Sequence, residues 1–267
     1  MERADTEGPK TRHYLTWLVV ALAVVAALGG WFLLDPGFRN MRPLGLASST
    51  SADAFGQRVR SYLLEHPEVI FEAAQRYEAR QRAAQETEAQ SVIKTRADDI
   101  LRDPDSPVGG NPKGDVTLVE FFDYNCPYCR QVAPVMEQAA AADAKLRIVY
   151  KEFPILGPNS TYAAKAALAI HRQGKYEAFH YALMQGRGSV DASRVEEAAA
   201  KAGADIARMK SDMDDPAIAA AIDKNLALAR ELRINGTPGF VIGDQILRGA
   251  TDLETLQTLI REAREKR

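Results

Sequence analysis

Cysteine is scarce in this chain. The 267 residues hold two, Cys126 and Cys129, and the four histidines (His13, His66, His171, His180) are scattered. That count excludes a zinc-type Cys/His cluster. It also excludes a stapling framework, because a bridge across two intervening residues closes a tiny loop and removes little entropy from the unfolded chain. Positive charge is not in excess: 34 Lys and Arg stand against 36 Asp and Glu, a net of -2. This argues against a nucleic-acid partner. Apolar residues are not lacking, at 46% of the chain with 26% charged, so bulk disorder is excluded. What is left is a close pair of thiols kept for chemistry.

One long uncharged run is present. Tyr14 to Leu34 spans 21 residues, enough at about 1.5 Å per residue to cross a hydrocarbon core of about 30 Å. Trp17 and Trp31 lie near its ends, where amphipathic rings favour the headgroups. Lys10, Arg12 and His13 precede the run, and Arg39 and Arg42 follow it. The reading is a cytoplasmic leader over 1–13, an anchor over 14–34 and the bulk of the chain outside the membrane. A cleaved signal sequence is the alternative, disfavoured by the length of the run and by Trp31-Phe32-Leu33-Leu34 where small residues should stand. Either way the bulk is exported to where disulfides persist.

Residues 35–52, with Pro36, Gly37, Pro43, Gly45 and Ser48 to Ser51, read as a linker. Residues 53–101 read as helical. Phe55, Val59, Tyr62 and Leu63 fall on one face of a helix that ends before Pro67, and Val69, Ile70, Ala73, Ala74 and Tyr77 on one face of the next. A solvated spacer would not need such faces, so the segment reads as an oligomerisation stalk. Asp103 to Gly114, rich in Pro and Gly, is a loop and a boundary. One unit follows, over 103–267.

Within that unit Val116 to Phe122 is a buried-strand pattern. Asp123-Tyr124-Asn125 follows, then Cys126-Pro127-Tyr128-Cys129, then a helix-forming stretch from Arg130. The cysteines thus sit where a strand hands over to a helix. Free N–H groups and the positive end of the helix dipole lower the pKa of Cys126 there. Cys126 is the expected nucleophile and Cys129 the resolving thiol. Pro127 fits the first helical turn. Glu120 is the one charged residue of its strand. Buried, it needs a partner, for which Lys151 on the next strand is the candidate, and it could accept the proton of Cys129. His171 and His180 read as surface or core-edge residues.

The run Asp123 to Cys129 after an apolar strand resembles the active-site region of DsbA-type proteins of the thioredoxin superfamily. Gly236-Thr237-Pro238-Gly239-Phe240-Val241-Ile242 resembles that family's cis-proline strand. The resemblance implies an α/β thioredoxin-like fold with a helical insertion, here about 160–233. Pro238 would face the cysteines, and Thr237 would offer its backbone to an extended substrate. Val59 to Ile70 resembles the N-terminal segment of ScsC-type proteins, which implies a homo-oligomer, a trimer favoured, through 53–101. The DsbA pattern has histidine where Tyr128 stands. Tyrosine adds no positive charge, so a weaker oxidant is expected, roughly -230 to -180 mV.

Three functions fit. The first is an oxidase or isomerase acting on exported cysteine-containing proteins and recycled by a membrane or soluble redox partner. It needs no cofactor beyond the Cys126–Cys129 pair and no metal. The second is a reductase for one client in metal or cytochrome maturation. The third is a chaperone or copper module whose thiols hold a soft ion.

Overall fold

A computed structural model describes residues 47–186 and 188–266. The apolar run 14–34 and the leader before it lie outside the described residues. Among the described residues no helix is long and apolar enough to cross a membrane. The chain divides into two compact units, one up to Tyr77 and one from Glu78 to Arg267.

The first unit contains α1 (Ala47–Glu65) and the start of α2 (Glu68–Thr95). The break between them is set by Pro67, which has no N–H to give and disfavours helix in His66 before it. The His66 amide still bonds back to the Tyr62 carbonyl at 2.8 Å. Helix α1 starts at Ala47, inside the stretch 35–52 read as linker. Serine and threonine cost only a few tenths of a kcal/mol each in a helix and do not stop one. The apolar residues of this unit are largely in solvent: Leu64 is 70% exposed, Phe71 73% and Phe55 62%.

In the second unit the rest of α2 and α3 (Ala97–Leu101) lead to a five-stranded sheet. Its strands are β1 (Val108–Gly110), β2 (Val116–Phe122), β3 (Leu146–Glu152), β4 (Gly239–Ile242) and β5 (Gln245–Arg248), in the order β1-β3-β2-β4-β5. Strands β2 and β3 run parallel, and the other pairings are antiparallel. The helices are α4 (Pro127–Ala142), the insertion α5 (Pro158–His171), α6 (Tyr176–Met184), α7 (Ala192–Lys201), α8 (Ile206–Asp212) and α9 (Pro216–Glu231), and the final α10 (Leu253–Glu265).

Side chains alternate along a strand, so the central strands serve two cores. Leu118, Phe122, Ile148, Tyr150, Phe240 and Ile242 pack with α4, α10 and the insertion. Val119, Phe121, Val149 and Val241 pack with Ile93, Ile100, Leu228 and Leu232. The segment 53–101, read as one stalk, is therefore divided. Ala89, Ile93 and Ile100 are buried in the second unit, while the aromatic faces up to Tyr77 belong to the first.

The same alternation corrects the pairing expected for Glu120. The register sets Glu120 beside Tyr150 and Phe121 beside Lys151, so Glu120 and Lys151 point to opposite faces. Lys151 pairs with Asp103 instead, Nζ to Oδ2 at 2.8 Å, and also donates to the Asp99 carbonyl and the Ser106 hydroxyl, both at 2.7 Å. Burial pulls the Lys151 pKa down. Burial pushes Asp103 up, but its contacts with Lys151 and Lys224 win and hold it at about 2. The Pro- and Gly-rich loop that reads as a boundary thus supplies the counter-ion of a buried lysine. Asp103→Ala would strand that charge and is expected to destabilise the protein by about 3 kcal/mol, read as a lower urea midpoint with an unchanged slope.

Candidate active site

Helix α4 begins at Pro127, with Cys126 as its N-cap residue in extended backbone. No side chain caps this end, so the thiol of Cys126 meets the free amides directly. The structure holds both cysteines as free thiols. The Cys126 pKa is brought down to about 5. The chief cause is the hydrogen bond from the Cys129 thiol; burial opposes it, and the Thr237 side chain and the amides of Cys129 and Tyr128 add to it. Cys129 is fully buried, and burial pushes its pKa far up, reinforced by the proton it shares with Cys126 and by the charge of Glu120. One thiol is therefore poised as a thiolate and the other is kept protonated.

The Thr237–Pro238 peptide is cis, and the Thr237 carbonyl lies 3.2 Å from the Cys126 sulfur. Sites 111 residues apart in the chain thus meet. Tyr128 projects into solvent, 60% exposed. Glu120 lies beneath the pair, 1% exposed, and its Oε1 has no hydrogen-bond partner. Burial, and then the negative charge of Cys126, raise its pKa to about 8. Of the expected site residues, Cys126, Cys129, Pro127, Tyr128, Thr237, Pro238 and Glu120 come together, and Lys151 does not.

Other residues that build the site carry little signal in the sequence. The Asp123 carboxylate accepts from the amides of Asn125, Ile155 and Leu156 at 2.8–3.0 Å and ties the redox turn to the loop after β3. Asn125 exchanges hydrogen bonds with the backbone of Val190 in the insertion. His180, expected at the surface or the core edge, is fully buried. Burial lowers its pKa to about 3, and its Nδ1 lies 3.2 Å from the Tyr124 hydroxyl. The hydroxyls of Tyr176 and Tyr124 donate to the buried Glu152 at 2.8 and 3.4 Å. The one hint in the sequence is a polar triplet, Asp123 to Asn125, squeezed between an apolar strand and the cysteines. Among the described residues no cluster of three or more His, Cys, Asp or Glu is placed to hold a metal.

The DSBA-like thioredoxin domain model matches residues 117–261. The chain belongs to that family. This DsbA-like chain also matches the model of the copper resistance protein ScsC N-terminal domain over residues 53–84. It is similar to a thioredoxin-like oxidoreductase from Silicibacter pomeroyi, with 46% identity, 63% of this chain and 97% of that chain covered, and a TM-score of 0.62. It is similar to the catalytic domain of Proteus mirabilis ScsC, with 30% identity, 66% and 98% covered, and a TM-score of 0.61. Among curated proteins it matches the Na(+)/H(+) antiporter NhaA 1 of Salinispora arenicola, 27% identical over 164 residues, which is 60% of this chain. The chain spans about a quarter of the length of the antiporters it matches, 25% in that case.

Proposed function

We propose that this DsbA-like protein forms or isomerises disulfides in exported proteins, held in the bacterial cytoplasmic membrane by residues 14–34 with its thiols outside. The observation that carries the reading is the Cys126 sulfur at the head of α4, 3.2 Å from the cis-proline loop's Thr237 carbonyl, with its pKa brought down to about 5. To open a substrate disulfide that thiolate attacks one of its sulfurs, making a mixed disulfide and releasing the other sulfur as a thiolate. In isomerisation the released thiolate attacks a second substrate disulfide, and the thiolate freed there displaces Cys126, with no net transfer of electrons. In reduction the mixed disulfide is resolved by Cys129 instead. Glu120 takes the proton of Cys129, whose sulfur then attacks Cys126. The substrate thiolate leaves, and two electrons have passed from the dithiol to the substrate disulfide. Oxidation of a substrate is the reverse. A substrate chain lying along Thr237 and Pro238 would be held by backbone hydrogen bonds, as an added strand is.

A thiolate near 5 stands between the thioredoxin value of about 7 and the DsbA value of about 3.5. That supports an intermediate potential, roughly -230 to -180 mV, as expected with Tyr128 in place of histidine. The test is the equilibrium of the pair with glutathione buffers together with reactivation of scrambled ribonuclease. A potential at or below about -270 mV, with no reactivation, would replace this reading with a client-specific reductase.

The exposed Phe55, Tyr62, Ile70, Phe71 and Tyr77 support self-association through the first unit, a trimer favoured. Several sites on one oligomer could hold a scrambled substrate while it reshuffles. A chain starting at Glu78 is expected to be monomeric by light scattering. It should still exchange with short peptides and should reactivate scrambled ribonuclease several-fold more slowly. An unchanged mass would remove the stalk from this reading.

A further inference from the structure

Beside the cis-proline loop lies a cleft of about 480 Å³ that includes Gln85, Arg233, Asn235, Thr237, Pro238 and Arg248 in its lining. It opens next to the reacting sulfur, since Thr237 both lines it and touches Cys126. Two features of this cleft have no part in the exchange chemistry.

The first is Arg248, at the end of β5. Its Nε donates to the Arg233 carbonyl and its Nη2 to the Leu232 carbonyl, both at 3.2 Å. These carbonyls end helix α9, where the dipole favours a cation. The guanidinium is thereby fixed in place with donors to spare. Among the described residues no carboxylate pairs with it. Asp244, in the adjoining cleft that also reaches Arg248, is taken by Lys266 at 3.0 Å. The next residue, Gly249, donates its amide to the Pro238 carbonyl at 2.8 Å, so Arg248 is tied to the backbone that would receive substrate.

The second is Arg233. It follows the last turn of α9 with φ 55°, the left-handed region where helices usually place glycine. The Ile234 amide bonds back to the Ala229 carbonyl at 2.8 Å and closes the helix end. A side chain at such a position costs on the order of 1 kcal/mol relative to glycine. Here it reaches Glu88 at 2.6 Å, while its carbonyl holds Arg248. The pairing with Glu88 neutralises Arg233 and leaves Arg248 as the uncompensated charge of the cleft.

We propose that this cleft is a carboxylate-reading subsite, in which Arg248 selects substrate segments carrying an acidic side chain close to the reacting cysteine. The inference rests on the exchange reading above. A planar guanidinium held by two carbonyls presents its other N–H groups in the fork that a carboxylate accepts. A substrate strand alternates its side chains, so a residue two places from the cysteine falls on the same side as the cysteine.

The test uses the full-length protein in detergent and three peptides. Each carries one cysteine as a mixed disulfide with a small reporter thiol, and each has Asp, Ser or Lys two residues from that cysteine. Exchange with the serine peptide tests the underlying reading, and the ratio of aspartate to lysine rates tests the subsite. The wild type is expected to favour the aspartate peptide over the lysine peptide by about fivefold, and the ratio should shrink with added salt. Arg248→Met should bring the ratio close to that of the free peptides with a small thiol, and Arg248→Lys should keep part of it. A wild-type ratio equal to the small-thiol ratio, or one that Arg248→Met leaves unchanged, overturns the proposal while the serine-peptide rate still upholds exchange. If oxidised glutathione, which carries carboxylates of its own, loses as much rate in Arg248→Met as the aspartate peptide does, the carboxylate chemistry stands and the tripeptide joins its ligands.

Discussion

Cys126→Ala is expected to slow exchange with a peptide disulfide by more than about 10⁴-fold, because the variant has no thiolate left. Cys129 cannot take over: it is buried, and its pKa is pushed far above the ordinary thiol range. The low pKa of Cys126 acts in two opposed ways. At pH 7 a thiol of pKa about 5 is about 99% ionised, against about 3% for a free thiol. Its intrinsic nucleophilicity falls with its basicity, however, and a Brønsted slope of about 0.5 over this shift cancels that gain. The larger benefit is as a leaving group. A substrate thiolate attacking the oxidised pair expels a sulfur that already prefers to be anionic, which favours oxidation. Two measurements check this. Alkylation by iodoacetamide should titrate with a midpoint near 5 in wild type and vanish in Cys126→Ala. Reactivation of scrambled ribonuclease should vanish with it. A variant that reactivates ribonuclease like the wild type would sink the assignment of Cys126.

Much of this site could be read in one dimension because its parts are local. Strand, polar triplet, cysteine pair and helix follow one another over Val116 to Ala142, and Thr237-Pro238 carries its own signature just before β4. The burial of Glu120 was legible from its place in an apolar strand. That Lys151 would not pair with it was hidden, because pairing in a parallel ladder depends on register. Phe121 lies beside Lys151, so parity sends Glu120 and Lys151 to opposite cores. Asp103 was hidden for a different reason: a loop rich in Pro and Gly reads as a boundary whatever its one buried carboxylate does. His180 looks like any helical histidine until Tyr124 and Tyr150 are seen packed around it. The division of 53–101 was out of reach as well. Ala89 and Ile93 have the same spacing as the exposed apolar residues before them, and only packing decides which face finds a core.

The two buried acids of the strand face have different surroundings. Glu152 is furnished with tyrosine hydroxyls, and Asn225 donates to its backbone carbonyl at 3.2 Å. Glu120 is left with an unbonded oxygen in an apolar layer. An uncompensated carboxyl of this kind lowers stability, which marks it as retained for something other than the fold.

Glu120→Leu is therefore expected to stabilise the reduced protein by up to about 4–5 kcal/mol at alkaline pH, a gain that fades on acidification. The sign follows from linkage. The carboxyl has a pKa of about 8 in the folded chain and about 4.5 when unfolded. Between those values the folded state holds a proton that the unfolded state has lost, so stability falls as pH rises through the window, by about 1.4 kcal/mol per unit. Below about pH 4.5 the penalty is absent; near pH 7 it is about 3 kcal/mol. Urea midpoints of wild type and Glu120→Leu should thus converge at pH 4 and diverge up to pH 9. Parallel midpoints across that range would refute the buried titration. The same residue should show the opposite effect on rate. While Cys126 is a thiolate, its charge helps to keep Glu120 protonated. Once Cys126 is tied in a mixed disulfide that charge is gone, Glu120 ionises more readily, and a base stands ready when Cys129 must lose its proton. Glu120→Gln keeps the shape and removes the base, and it is expected to slow release of substrate from the mixed disulfide by about a hundredfold while attack by Cys126 is slowed far less. Stopped-flow kinetics that separate the two steps decide the matter, since a purely structural role for Glu120 would leave their ratio unchanged.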